Sequence, residues 1–133
     1  MIFSLKKVVK IIKVEEWMSK PVISLKPENT VDDTIKLMVK KNIGVVAIVK
    51  DEKLMGIVTE RDIVKRVASV DLDKSTSVSK IMTPKPETIE HDATVLDVTK
   101  VMSDNNFRRL IVKKNDKIVG IITAKDVIKL MSA

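Results

Sequence analysis

Apolar residues fall at helical spacing along two stretches of this chain, and as short β-branched runs along others. Val31, Ile35, Met38 and Val39 mark one helical face, and Val95, Val98, Val101 and Met102 mark another. Each face predicts a helix, opening at Thr30 or at Thr94. Asn42-Ile43-Gly44 ends the first. The run Val45–Val49 and the run Leu54–Val58 flank the polar turn at Lys50–Lys53, and this predicts a hairpin. Leu110–Val112, the turn Lys113–Lys117 and Ile118–Ile122 predict a second. A short extended stretch precedes each helix, Val22–Leu25 and Glu87–Ile89. A closing helix follows each hairpin, carrying Ile63, Val64 and Val67 or Val127, Ile128 and Met131.

The order β-α-β-β-α therefore occurs twice. Shifting the chain by 64 positions lays residues 18–67 over 82–131 without a gap, and 14 of the 50 pairs are identical. They include Met18/Met82, Thr30/Thr94, Asp33/Asp97, Asn42/Asn106, Gly56/Gly120, Thr59/Thr123 and Asp62/Asp126. A further 12 pairs exchange one apolar residue for another. A duplicated unit explains such a match. The predicted organisation is a basic N-terminal segment (1–17), a first repeat (18–67), a Ser- and Asp-rich linker (68–81) and a second repeat (82–133). A unit of about fifty residues buries little surface alone. The expected fold is accordingly α/β (α+β): tandem βαββα repeats with pseudo-two-fold symmetry, sheets packed against each other and helices outside. Clefts are expected where the halves meet.

Composition narrows the chemistry. With no cysteine, a disulfide framework and a thiolate zinc site are excluded, and a single histidine, His91, excludes a two-histidine metal site. Neither a metal nor a catalytic cofactor is expected. Apolar runs fall far short of the ~20 residues of a membrane span. The N-terminus, MIFSLKKVVKIIK, lacks the uninterrupted apolar core of a signal peptide. The expected setting is the reducing cytoplasm, with no membrane partner. Net charge is +7, with local density at Lys6, Lys7, Lys10 and Lys13. It reads as a solvated, lysine-rich surface of the kind found in heat-adapted proteins. Nucleic acid is the alternative partner such an excess allows, through backbone-dominated, salt-sensitive binding. No helix-turn-helix signature or aromatic stacking platform supports it. His91, in a polar loop, is expected to be exposed, and Trp17 to pack the N-terminal segment.

Both copies carry Gly-Ile-[Val/Ile]-Thr-x-x-Asp, as Gly56–Asp62 and Gly120–Asp126. Thr-x-x-Asp is also a helix N-cap signature, and at Thr30/Asp33 and Thr94/Asp97 capping is the whole reading. At Thr59 and Thr123 the motif follows a strand directly and opens a helix. A carboxylate at such a corner can accept two hydrogen bonds from a vicinal diol. Backbone N–H groups at a helix start favour phosphate nearby.

With MSKPV and MTPKP, NIGVVAIV and NFRRLIV, and GIVTERD and GIITAKD, the chain resembles the CBS domain, and the pair resembles a Bateman module, across residues 18–131. The resemblance implies a stand-alone regulatory module, not an enzyme. It would bind AMP, ADP, ATP or a related adenosyl ligand between the repeats as a regulatory ligand, and signal occupancy to a protein partner. It implies that Asp126 and Asp62 hold the ribose, beside Thr123 and Thr59 and the motif residues Ile121 and Ile57. Adenine would lie against the opposite copy: Ser19, Ser24, Gly44 and Val45 for the Asp126 cleft, and Thr83, Thr88, Phe107 and Arg108 for the Asp62 cleft. Arg108 and Arg109 stand where family members often bind phosphate, with Lys125 and Arg61 inside the two motifs. Guanidinium forks match phosphate oxygens. An exposed basic turn is the plainer reading of the Arg108-Arg109 pair, and it could serve either cleft. The Asp126 cleft is favoured because its own copy supplies both arginines. Such modules commonly dimerise through their helices, so a homodimer is expected. No nucleophile–base pair points to an enzyme.

Overall fold

The computed structural model describes residues 5–132. The first four residues of the basic N-terminal segment, the side chains of Leu5 and Lys6 and the last residue of the second repeat lie outside the described part. Two helices come first, α1 (Leu5–Ile11) and α2 (Val14–Trp17). The first repeat contains β1 (Ser24–Leu25), α3 (Val31–Lys41), β2 (Val45–Lys50), β3 (Lys53–Thr59) and α4 (Glu60–Ile63), which widens into a π-helical turn over Val64–Ala68. After a short 3-10 turn at Val78–Lys80 comes β4 (Thr83–Pro84). The second repeat contains β5 (Thr88–Glu90), α5 (Val95–Asn105), β6 (Arg109–Lys114), β7 (Lys117–Thr123) and α6 (Ala124–Ser132). The fold is mixed α/β, and β-α-β-β-α occurs twice.

The repeats match in detail. β1 runs parallel to β2, which is antiparallel to β3; β5, β6 and β7 repeat this order. The register slips at Ile48/Val49 in one hairpin and at Val112/Lys113 in the other, 64 positions apart. Each hairpin turns through two consecutive residues at positive φ, Asp51-Glu52 and Asn115-Asp116, in keeping with the right-handed twist of the strands. Thr30 and Thr94 each accept from the backbone N–H three residues on, while Asp33 and Asp97 accept from the cap backbone. Asn42 and Asn106 close the same helices in the left-handed conformation.

The chain divides into two compact units that cut across the repeats. The first-repeat unit comprises residues 23–86. Its core joins Val31 and Met38 of α3 to Val46, Ile48, Val58, Val67, Val78 and Ile81. Val78 and Ile81 come from the linker, which is a packed part of the unit. Val31 N–H donates to Thr76 O, Val78 N–H to Asn29 O, and Ser77 Oγ to Pro27 O. The second-repeat unit comprises the chain up to Val22 together with everything from Glu87 on. Val9 and Val14 join Val95, Val98, Met102, Leu110, Val112, Ile122, Val127 and Leu130 in its core. Val14 N–H donates to Ala93 O and Val95 N–H to Ile12 O, so the N-terminal helices are built into this unit.

Some expectations are corrected. Val39 is 77% exposed, because the buried stripe of α3 runs through Val31, Thr34 and Met38, and Val39 sits about 100° round from Met38. Buried Thr34 satisfies its hydroxyl on Thr30 O. Val64, Ile128 and Met131 face out, and Leu130 joins Val127 in the core. The stretch before α3 pairs only over Ser24–Leu25. His91 is half-buried, and its Nδ1 meets Glu15 Oε2 at 2.9 Å.

Candidate functional site

The two Thr-x-x-Asp corners are built alike from strand, crossing segment and helix. In the second-repeat unit, β7 ends at Thr123 and α6 begins. Asp126 Oδ2 accepts from Thr123 N and Oγ1, both at 2.9 Å, and Asp126 N–H donates back to Thr123 Oγ1 at 3.1 Å. The segment Met18-Ser19 crosses β7: Ser19 N–H donates to Ile121 O at 2.8 Å, and Ile121 N–H to Ser19 O at 3.0 Å. Gly120 is required there, since a Cβ would collide with Met18 Sδ and lie 3.0 Å from Ser19 O. The Trp17 indole N–H donates to the Asp126 carbonyl at 2.6 Å.

The first-repeat unit repeats the plan with Thr59 and Asp62. Asp62 Oδ2 accepts from Thr59 N at 2.9 Å and from Thr59 Oγ1 at 3.1 Å. Met82-Thr83 crosses β3, pairing Thr83 with Ile57, and a Cβ on Gly56 would meet Thr83 O at 2.7 Å. All four Thr-x-x-Asp motifs thus cap helices. Only the two corner motifs add a hydroxyl-to-carboxylate bond.

The corners differ in their free valences. Asp62 Oδ1 accepts from Thr83 Oγ1 at 3.3 Å and lies 3.7 Å from Arg66 Nε, and the residue is buried. Among the described residues, no hydrogen-bond or ion-pair partner meets Asp126 Oδ1, and Asp126 is half-buried. Charge differs too. Arg109 pairs in register with Thr123, and Arg108 O accepts from Ala124 N–H at 2.8 Å, so both arginines sit at the start of β6 beside the Asp126 corner. Arg108 is exposed; Arg109 Nε is buried without a hydrogen-bond partner among the described residues. An unpaired guanidinium nitrogen is costly, and an anion would satisfy it. The matching place in the first-repeat unit holds Gly44 and Val45. Glu60 N–H donates to Gly44 O at 3.1 Å, and the Glu60 carboxylate would crowd any Cβ on Gly44. Three basic residues, Arg108, Arg109 and Lys125, thus stand in the segments that form the Asp126 corner, whereas the Asp62 corner carries Glu60 as well as Arg61.

The structure brings Ser19, Ile121, Thr123, Asp126 and both arginines into one unit, and Ile57, Thr59, Asp62 and Thr83 into the other. Ser24, Gly44 and Val45 belong to the first-repeat unit. Thr88 and Phe107 belong to the second, where Phe107 packs against the core. Lys125 and Arg61 are exposed. Two residues escape a reading by motif, Trp17 and Arg66. Comparing the copies position by position exposes Arg66, whose counterpart is Leu130. Trp17 leaves no such signal, since it precedes the matched stretch. Among the described residues, no three His, Cys, Asp or Glu side chains gather to hold a metal ion, and no helix is long and apolar enough to cross a membrane.

The CBS domain family model matches residues 14–69 and 78–133. MJ1232, an uncharacterized protein of Methanocaldococcus jannaschii, is 36% identical over 122 residues, 91% of this chain and 40% of its own length. The chain thus spans less than half of that relative. Among solved structures, the CBS domain pair of protein MJ0100 is 31% identical, with a TM-score of 0.80 over 92% of this chain and 97% of that one. That pair is in complex with 5′-methylthioadenosine and S-adenosyl-L-methionine. CBSX2 in complex with AMP is 25% identical, with a TM-score of 0.75 over 91% of this chain and 96% of that one.

Proposed function

The chain belongs to the CBS domain family, and from that premise we propose that it is a non-catalytic regulatory module whose Asp126 corner binds an adenine nucleotide. Asp126 Oδ1 accepts the ribose diol, and Arg108 and Arg109 take the phosphate. Occupancy is read out by a protein partner of the module. The observation that carries this reading is that, among the described residues, Asp126 Oδ1 has no partner and lies at a corner beside the start of β6, where of two arginines one has a buried nitrogen that is likewise unpartnered. The adenosyl ligands held by the MJ0100 pair and by CBSX2 support the same ligand class. The Asp62 corner is the weaker site, because its carboxylate already has partners in the chain.

A thermal-shift panel tests the proposal. Adenosine, AMP, ADP, ATP, S-adenosylmethionine and a short DNA duplex are each added to the folded chain. A ligand at about a hundred times its Kd stabilises the folded state by about 2.7 kcal/mol, a clear rise in Tm for a domain of this size. At least one adenosyl ligand is expected to give it. A response to DNA alone would instead assign the basic surface to nucleic acid.

A further inference from the structure

We infer that Arg66 sets the number of adenosyl ligands the chain holds, because with Thr83 it satisfies Asp62 internally and leaves Asp126 as the one receptive corner. The inference rests on the nucleotide reading above and adds to it a residue that decides stoichiometry. The two aspartates occupy equivalent positions, and Oδ2 of each is committed to its own threonine. The difference lies at Oδ1. In the first-repeat unit, Thr83 Oγ1 donates to Asp62 Oδ1 at 3.3 Å, and Arg66 Nε stands 3.7 Å away. At that distance Arg66 is an ion-pair partner and not a hydrogen-bond donor. What holds it in place is its other end: Arg66 Nη1 donates to Ile81 O at 3.0 Å and to Met82 O at 3.1 Å. The guanidinium therefore ties the carboxylate to the segment that crosses β3.

The Asp126 corner lacks this device. Sixty-four positions on from Arg66 stands Leu130, buried in the core and uncharged. Ser19 takes the place of Thr83, and it meets β7 through its backbone alone among the described residues. A diol approaching Asp62 must displace a hydroxyl and compete with a cation, whereas Asp126 Oδ1 has no such partner among the described residues. Asp62 Oδ1 is thereby withdrawn from ligand binding, and the duplicated motif serves structure in one copy and recognition in the other.

Isothermal titration with AMP tests this on the full chain. The wild type is expected to bind one AMP per chain. Asp126→Asn loses at least about tenfold in affinity, the scale of a hydrogen bond to a charged acceptor, whereas Asp62→Asn stays within about twofold of wild type, as a change outside the ligand contacts should. Arg66→Leu, which copies the counterpart position, and Arg66→Gln are each expected to bind a second AMP. Folding of every variant is checked by its melting temperature. Without ligand, the melting-temperature losses of Arg66→Leu and Asp62→Asn are expected to be less than additive, since both break one interaction. Two AMP on the wild type, one AMP on folded Arg66 variants, or additive losses would overturn the lock. If neither Arg66 variant folds, a loss on Asp62→Asn equal to that on Asp126→Asn overturns it. If the wild type binds no AMP, the nucleotide reading itself falls, and the melting-temperature cycle alone then decides whether Arg66 locks Asp62.

Discussion

The indole N–H of Trp17 donates to the backbone carbonyl of Asp126 at 2.6 Å, joining α2 to α6 across 109 residues of sequence. Trp17 is the only tryptophan of the chain. Its ring lies one hydrogen bond from the residue proposed to hold the ribose, so its emission should shift when adenosine binds. Trp17→Phe keeps the packing and removes the donor. The bond is already made without ligand, so its loss of about 1 kcal/mol should lower the melting temperature of the free chain, and adenosine affinity should fall by at most about fivefold through the displaced Asp126. Unchanged emission at saturating adenosine, with unchanged affinity in the variant, would leave Trp17 a packing residue only.

Asp126→Ala should weaken adenosine and AMP alike, because both carry the ribose diol. A hydrogen bond to a charged group contributes about 1.5–3 kcal/mol, so Kd should rise at least about tenfold. Asp126 also caps α6 through Thr123, so the melting temperature without ligand is read first. A folded variant that binds adenosine as tightly as wild type would remove Asp126 from the site.

Replacing Arg108 and Arg109 together with Ala should weaken AMP, ADP and ATP and spare adenosine. Phosphate contacts are screened by salt, so the gap between variant and wild type should narrow from about 0.05 to about 0.5 M salt. Equal losses of adenosine and AMP would show the arginines to be structural. Arg109, with its buried Nε and its place in the β6–β7 register, would then be the first to examine.

Much of this fold is legible in the residues because the chain states it twice. Thr30, Asp33 and Asn42 recur as Thr94, Asp97 and Asn106, and each trio caps the two ends of its helix as spacing predicts. The hairpins follow equally from β-branched runs and polar turns. The partners of the leading segments were not legible. Met18-Ser19 opens the first repeat yet crosses β7 of the second, and Met82-Thr83 opens the second yet crosses β3 of the first. Local pattern carries no record of which strand a two-residue segment pairs with. The exposure of Val39 was not legible for a related reason: a wide apolar stripe does not say where its edge falls. At the corners, the motif identified Asp62 and Asp126 as equals. Only the fold shows that Arg66 and Thr83 engage one and not the other.

The contact of Glu15 with His91 gives the second-repeat unit a pH-dependent seam. The hydrogen bond from His91 holds the Glu15 carboxyl below its ordinary range, aided by the charges of His91, Lys114 and Lys13. A carboxyl depressed in the folded state stabilises above its unfolded pKa and loses that contribution as pH falls through the folded value. Wild type should therefore melt above Glu15→Gln at neutral pH, and the two should converge below about pH 4, the ordinary Glu range. A melting-temperature difference that is flat from pH 7 to pH 3 would show that the contact carries no linkage.

Helices of each unit carry exposed apolar residues among those described. Val39 is 77% exposed and Val64 61%. They line one groove of about 550 Å³ with Ile35, Met38, Ile43 and Ile63, between α3 and α4. In the other unit Ile128 of α6 is 62% exposed. A stable interface buries at least about 1,000 Å² in total, and apolar area contributes about 25 cal/mol per Å² removed from water. A homodimer joined through helices of both repeats is therefore the expected state in solution. Sedimentation at about 10 μM should give the mass of two chains, a concentration at which dimers of Kd near 1 μM are well populated. Val39→Asp, Val64→Asp and Ile128→Asp each place a charge on that surface and should shift the chain to monomer. Val70→Asp is the control, since Val70 is 62% exposed but lies outside the groove; it should remain dimeric. A wild type that sediments as a monomer refutes the dimer. A dimer that survives Val39→Asp and Val64→Asp but not Ile128→Asp places the interface on α6 alone.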